Sequence, residues 1–212
     1  MRGVTMTLAS LRHAAFTTIA ALLWALSPSQ AATPPSDPAA TAISHFYATL
    51  TDAMQHGKEL GFEGRVRKLA PAVNATFNIP LMAQFTVGPG WASMKQADRD
   101  AVIAAFRRYT IADYAHNFDS FNGQNFTIDP NVIVRDPDHI VQTKLVPAKG
   151  EPVSLNYRMR MAGGSWKIVD VFLDGFVSEL STHRSDYAST LAAGGGSGLA
   201  KKLNALSDDL AK

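Results

Sequence analysis

The chain has 212 residues, 20 basic and 18 acidic side chains, and no cysteine. Without cysteine there is neither a disulfide framework nor a thiolate metal site. Arg2 and Arg12 fall in an N-terminal leader, so the remaining 18 basic residues balance the 18 acidic ones. No basic cluster with interleaved aromatics is present, which excludes nucleic acid as an expected partner.

The leader is read from its order of parts. Arg2 and Arg12 supply positive charge, Ala14 to Leu26 is almost uninterrupted apolar or small residue, and Ser29-Gln30-Ala31 fits a small-x-small cleavage site. The apolar run is shorter than the roughly 20 residues that a membrane span needs. Residues 1–31 are therefore expected to be a signal peptide cleaved near Ala31, and the mature chain to be exported. Pro34, Pro35 and Pro38 make residues 32–40 a tether. A single domain is expected over 41–193, followed by a glycine-rich joint at 194–198 and a terminal helix over 199–212.

Asp37-Pro38 predicts a helix start, with the cap residue followed by proline at the first helical position. Ile43, Phe46, Tyr47, Leu50 and Met54 then repeat at helical spacing. A second helical stretch carries Val66, Leu69, Val73 and Phe77, with a kink expected at Pro71. Pro80 opens a short helix that Gly88-Pro89-Gly90 stops. The longest helix is expected from Lys95 to Phe118, with Ser93 and Gln96 as a capping box. Its broad stripe contains Val102, Ile103, Phe106, Tyr109, Thr110, Asp113, Tyr114 and Asn117.

Beyond Asn122-Gly123 the period changes from 3.6 to 2. Four strands are predicted: Phe126 to Val134, His139 to Val146, Val153 to Met161 and Ser165 to Leu173. In the third, Val153, Leu155, Tyr157, Met159 and Met161 alternate with polar residues, as in an antiparallel strand with one buried face. On the fourth, the same alternation points Trp166, Ile168, Asp170 and Phe172 inward. Short helices over Ser185 to Ala192 and Leu199 to Leu210 complete the chain. Helices first and strands afterwards argue an α+β fold: N-terminal helices packed on a twisted four-stranded antiparallel sheet, cone-like, with short C-terminal helices.

The six histidines follow no metal-ligand spacing, and no metal or cofactor is expected. Gly194 to Gly198 lacks both the nucleophile-elbow and the phosphate-loop pattern. Asp170 is the one residue suggesting catalysis. On an inward face beside Tyr157 or Tyr109 it resembles the base-plus-phenol pair of an isomerase, and the alternative is an ion pair with Arg158, Arg160 or Arg184, or a bond to backbone.

Taken in order, Phe77-Asn78-Ile79-Pro80-Leu81-Met82-Ala83, Trp91, Ala105-Phe106-Arg107-Arg108-Tyr109, Leu155-Asn156-Tyr157-Arg158-Met159, Trp166-Lys167-Ile168-Val169-Asp170-Val171, Asp174-Gly175 and Arg184 resemble the MlaC/toluene-tolerance family of periplasmic lipid-binding proteins. Asn78 stands where that family usually has aspartate. The segment from Gly175 to Arg184 and the long Phe118-to-Phe126 connection are similar to the subgroup associated with hopanoid-producing bacteria. The resemblance implies a nuclear-transport-factor-like cone and a periplasmic location. It further implies no catalytic residue, a phospholipid or hopanoid-type cargo, and exchange with an inner-membrane ABC transporter complex and an outer-membrane lipoprotein complex.

A lipid chain needs continuous apolar cover. The residues expected to supply it are Phe106, Tyr109, Tyr114, Leu145, Leu155, Tyr157, Met159, Ile168 and Phe172. Aromatics and methionine suit a pocket that accepts chains of varied shape. Two other readings remain open from the residues: a cone-fold enzyme with Asp170 as general base, and an adaptor with a filled core and protein partners only.

Overall fold

The computed structural model describes residues 37–212. The expected leader, its cleavage point and the tether up to residue 36 lie outside the described residues.

Asp37 accepts a hydrogen bond from the Ala39 amide at 2.7 Å, and Pro38 takes the first helical position, so α1 (Pro38–Gln55) starts at the cap–proline pair. It buries Ile43, Phe46, Tyr47, Leu50 and Met54. Helix α2 (Gly57–Thr76) runs through Pro71, and its break falls instead at Gly61, where φ is 60°. Gly57 opens α2 so close to the backbone of Asp119 that a Cβ there would lie 1.8 Å from the carbonyl oxygen. Buried Arg65 fastens the same corner through the carbonyls of Ala115 and Gly57, both at 2.8 Å.

Asn78 caps α3 (Ile79–Val87) by accepting from the Leu81 amide at 3.2 Å. An amide oxygen serves that role as an aspartate would. A 3-10 turn over Gly88–Trp91 leads to α4 (Gln96–Asn117). The expected capping box does not form, because Ser93 donates back to the Gly90 carbonyl at 3.1 Å and Lys95 occupies the cap position.

Among the described residues the sheet has seven strands where four were expected: β1 (Asn125–Ile128), β2 (Ile133–Arg135), β3 (Asp138–Val141), β4 (Thr143–Val146), β5 (Val153–Ala162), β6 (Ser165–Leu173) and β7 (Val177–Ser178). The first two expected strands are each cut in two. Pro130 has no N–H for the ladder, so pairing that ends at Asp129 resumes only at Ile133. At Thr143 the amide turns to the side chain of Asn156 and the hydroxyl to the Leu155 carbonyl, which separates β3 from β4. All ladders are antiparallel, and the sheet does not close.

The C-terminus is one long helix, α5 (Glu179–Asp209), not the short helices expected. Residues 194–198 lie within it. Helical geometry breaks at Gly195 (φ 58°, ψ −151°), and the next turn is held by packing against the start of α4, where a Cβ on Gly196 would meet Asp98 Cβ and Met94 Sδ at 2.8 Å. Helix α5 lies along α4 and α3, while α1 and α2 pack on each other and on β6.

Candidate functional site

One register detail sets which side chains face the helices. On β5 and β6, Met159 is opposite Ile168, but Arg158 is opposite Asp170, so Val169 is an extra residue in β6. Such a bulge reverses the inward–outward parity beyond it. Ile168 therefore shares the helix-facing side with Val171 and Leu173, whereas Asp170 and Phe172 turn to the opposite face.

Between that inner face, α4 and the first turns of α5 lies a cavity of about 340 Å³. From α4 it takes Phe106, Tyr109, Thr110, Asp113, Tyr114 and Asn117, residues spaced three and four apart on one helical face. The strands contribute Leu155, Tyr157, Val171 and Leu173. Glu179, Leu180 and His183 come from α5, and Phe77, Met82 and Phe118 complete the wall. The lining grades from buried Phe77, Phe106, Leu155 and Tyr157 to exposed Asn117 and Leu173.

The deep wall is aromatic. Phe46 meets Phe77 and Tyr114 edge-on, each at 5.2 Å between ring centres, and Tyr114 stacks on Phe118 at 5.6 Å. Tyr47, Tyr157 and Tyr114 are neighbours in this wall: the Tyr47 hydroxyl is hydrogen-bonded to Thr143 Oγ1 at 2.5 Å, and the Tyr47 ring meets Tyr157 edge-on with ring centres 5.9 Å apart. Burial raises all three phenols well above their ordinary value, so they stay neutral.

The outer end is polar and acidic. Asp113 accepts from the Asn117 amide at 2.9 Å, and burial raises its carboxyl. Burial and then the charges of Asp113, Asp170 and Asp186 raise Glu179. His183 stacks on Tyr187 with ring centres 5.3 Å apart, and its Nε2 stands 3.9 Å from Glu179 Oε2. Burial lowers the His183 pKa, which favours the neutral ring. Tyr109 is pushed up to about 12, first by burial and then by Asp113, Glu179 and Asp186.

Five of the nine expected lining residues meet in this cavity: Phe106, Tyr109, Tyr114, Leu155 and Tyr157. Met159 and Ile168 are fully buried in the core, where helices cover them. Leu145, opposite Phe126 and Val153, is partly buried away from the cavity. Phe172 faces the other side of the sheet because of the bulge. Asp113, Thr110 and Asn117 lay on the stripe already read along α4. His183 and Glu179 carried no signal, since nothing local brings the start of α5 to the sheet.

A family model described as MlaC protein matches residues 45–205, more than half of the chain. The chain belongs to the MlaC family. That family consists of periplasmic lipid-binding carriers rather than enzymes. Consistently with membership, Asp170 has a structural place outside the cavity. It accepts from the Val171 amide (2.9 Å), Ser178 Oγ (2.7 Å) and the Leu180 amide (3.3 Å), which fastens the start of α5 to β6. Arg158 and Arg160 pair with Asp138 instead. The general-base arrangement with Tyr109 or Tyr157 does not form.

A similar solved structure is that of the phospholipid-binding protein from Ralstonia solanacearum, in complex with a phospholipid. This MlaC-family chain matches it at 20% identity with a TM-score of 0.71, over 84% of this chain and 100% of that one. At that identity the likeness speaks for the fold.

Proposed function

We propose that this protein carries a phospholipid or hopanoid-type lipid through the periplasm. In this reading it exchanges its cargo between an inner-membrane ABC transporter complex and an outer-membrane lipoprotein complex. The observation that carries the reading is the cavity, apolar within and polar at its exposed end. A two-chain lipid has on the order of 30 methylenes at about 0.8 kcal/mol each, so roughly 24 kcal/mol of exposure to water must be avoided. An enclosed apolar wall does this, and a surface groove does not.

At about 340 Å³ the cavity lies at the small end of the range for ligand pockets, about 300–1,000 Å³. It covers part of a lipid in this state. Full loading therefore separates α5 from α4 and α3. The helices meet along glycine: Gly90 and the Gly195–Gly196 step line one groove between the 3-10 turn and α5.

Native mass spectrometry of the purified protein tests the reading. A bound lipid is expected, and its mass distinguishes phospholipid from hopanoid. Val171→Trp, which fills the cavity from β6, is expected to stay folded and to bind at least about tenfold less lipid. Lipid-free protein after exposure to vesicles, or equal loading of the filled variant, would remove the carrier reading.

A further inference from the structure

A second pocket, of about 280 Å³, lies across Leu180 from the cavity and is lined by cations. Arg158 and Arg160 of β5 and Arg184 of α5 converge on it, with Phe85 of α3 beside them.

The three guanidiniums are held in place. Arg158 and Arg160 stand over the Phe85 ring, 5.4 and 6.0 Å from its centre. Arg184 donates from Nε to the Phe85 carbonyl at 3.1 Å. It also lies so close to Gly88 (φ 72°) that a Cβ there would meet its Nη2 at 2.7 Å. Anchoring of this kind lowers the cost of ordering side chains around a ligand.

Their charge is only partly matched. Arg160 is bound to Asp138 through two contacts, 2.5 and 2.8 Å. Asp170 lines the pocket, but its Oδ1 accepts from the Val171 and Leu180 amides and its Oδ2 from Ser178 Oγ. Glu179, in the same turn, lines the cavity instead. Three guanidiniums against two carboxylates leave a net positive charge. Arg158 is the unmatched member. Its contact with Asp138, Nε to Oδ2, is 3.8 Å, too long for a hydrogen bond. That Nε is buried and has no hydrogen-bond partner among the described residues. A buried charged donor without an acceptor is costly. Ser178 and Ser181 add the N-terminus of the long helix α5, whose dipole favours an anion.

We propose that this pocket binds a phosphate group, free or carried on a lipid head at a membrane surface, between Arg158 and Arg184. The planar fork of arginine matches two phosphate oxygens at once. A tetrahedral oxyanion offers oxygens to arginines on two walls, whereas a planar carboxylate presents its pair to one. It also supplies the acceptor that Arg158 lacks. The site is separate from the cavity and independent of what fills it.

The protein is titrated with inorganic phosphate at constant ionic strength, chloride being the balancing anion, and followed by proton–nitrogen correlation NMR. The Ser178 and Ser181 amides and the Arg158 Nε–H are expected to shift saturably, while the Thr110 and Tyr114 amides stay in place. Arg158→Gln and Arg184→Gln are each expected to weaken binding at least about tenfold, the loss of one hydrogen-bonded charge. A second arm reads cosedimentation with vesicles of dioleoylphosphatidylglycerol. Sedimentation that inorganic phosphate and either variant abolish assigns the group to a lipid head. Saturable phosphate binding without it assigns a free phosphate. Should one variant lose its spectral dispersion, the other decides. A wild type with no saturable shift, or unchanged affinity in a folded variant of either arginine, overturns the site.

Discussion

Glu179 shows how one residue serves two demands. It occupies the first turn of α5, where an acidic side chain complements the helix dipole. It also stands in a partly buried acidic group with Asp113 and Tyr109 of α4, Asp170 of β6, and His183 and Asp186 of α5. Burial and these charges raise its carboxyl, so the folded state binds its proton more readily than the unfolded chain does. The stability contributed by that protonated form is complete below the unfolded carboxylate range and is lost as pH rises through the raised folded value. Glu179→Gln is therefore expected to melt above the wild type at pH 8, with the difference vanishing on acidification to about pH 4. His183 works in the opposite direction. Its lowered pKa makes a contribution present above the ordinary histidine range and lost as pH falls through the folded value. His183→Phe is expected to flatten the stability loss between about pH 6.5 and pH 5, read by thermal melts across that range.

At the scale of elements, the glycines that matter are those at close approaches or breaks. Gly57→Ala places a methyl group against the Asp119 carbonyl and is expected to cost about 3 kcal/mol or more, since backbone must move on both sides. Urea unfolding measures it. Gly195 has a conformation reserved to glycine, so Gly195→Ala is expected to cost about 1–3 kcal/mol although nothing crowds its Cβ. The same glycine puts a break in α5 within the stretch expected to be a loose joint, yet the chain resumes helix at once. A run of small residues weakens a helix, but the neighbouring turn is clamped against Met94 and Asp98, and tertiary contact outweighs local propensity. The bulge in β6 is the corresponding case among strands. Strict alternation in Trp166, Ile168, Asp170 and Phe172 reads as four inward residues, and one extra residue at Val169 makes the last two face outward.

For the whole molecule, the hollow lies where the helical layer and the sheet do not fully meet. Beside it the core is closed over Met159, Ile168, Ile43 and Leu50, which are inaccessible to solvent. An occupied cavity ties α4, α5 and the sheet together, so lipid is expected to raise the melting temperature in proportion to RT ln(1 + [L]/Kd). Hydrogen exchange is expected to slow across α4 and the start of α5 on loading. Unchanged protection there would show that the lipid sits elsewhere. Among the described residues no helix is long and apolar enough to cross a membrane.

Read alone, the residues determined the order of helices and strands, the buried faces of α1 and β5, the aromatic stripe of α4 and the family likeness. These are matters of periodicity and of short motifs, which depend on neighbours in the chain. Only the folded chain decided which apolar residues border a void and which fill the core. Phe106 and Met159 have the same hydrophobic signature in sequence, yet one borders the cavity and the other is sealed beneath helices. The acidic end was likewise invisible. It joins α4 to residues some seventy positions later, and the side chains that meet there are set by one bulge and by the anchoring of α5 through Asp170. Such long-range placement is a sum of packing choices that no local pattern records.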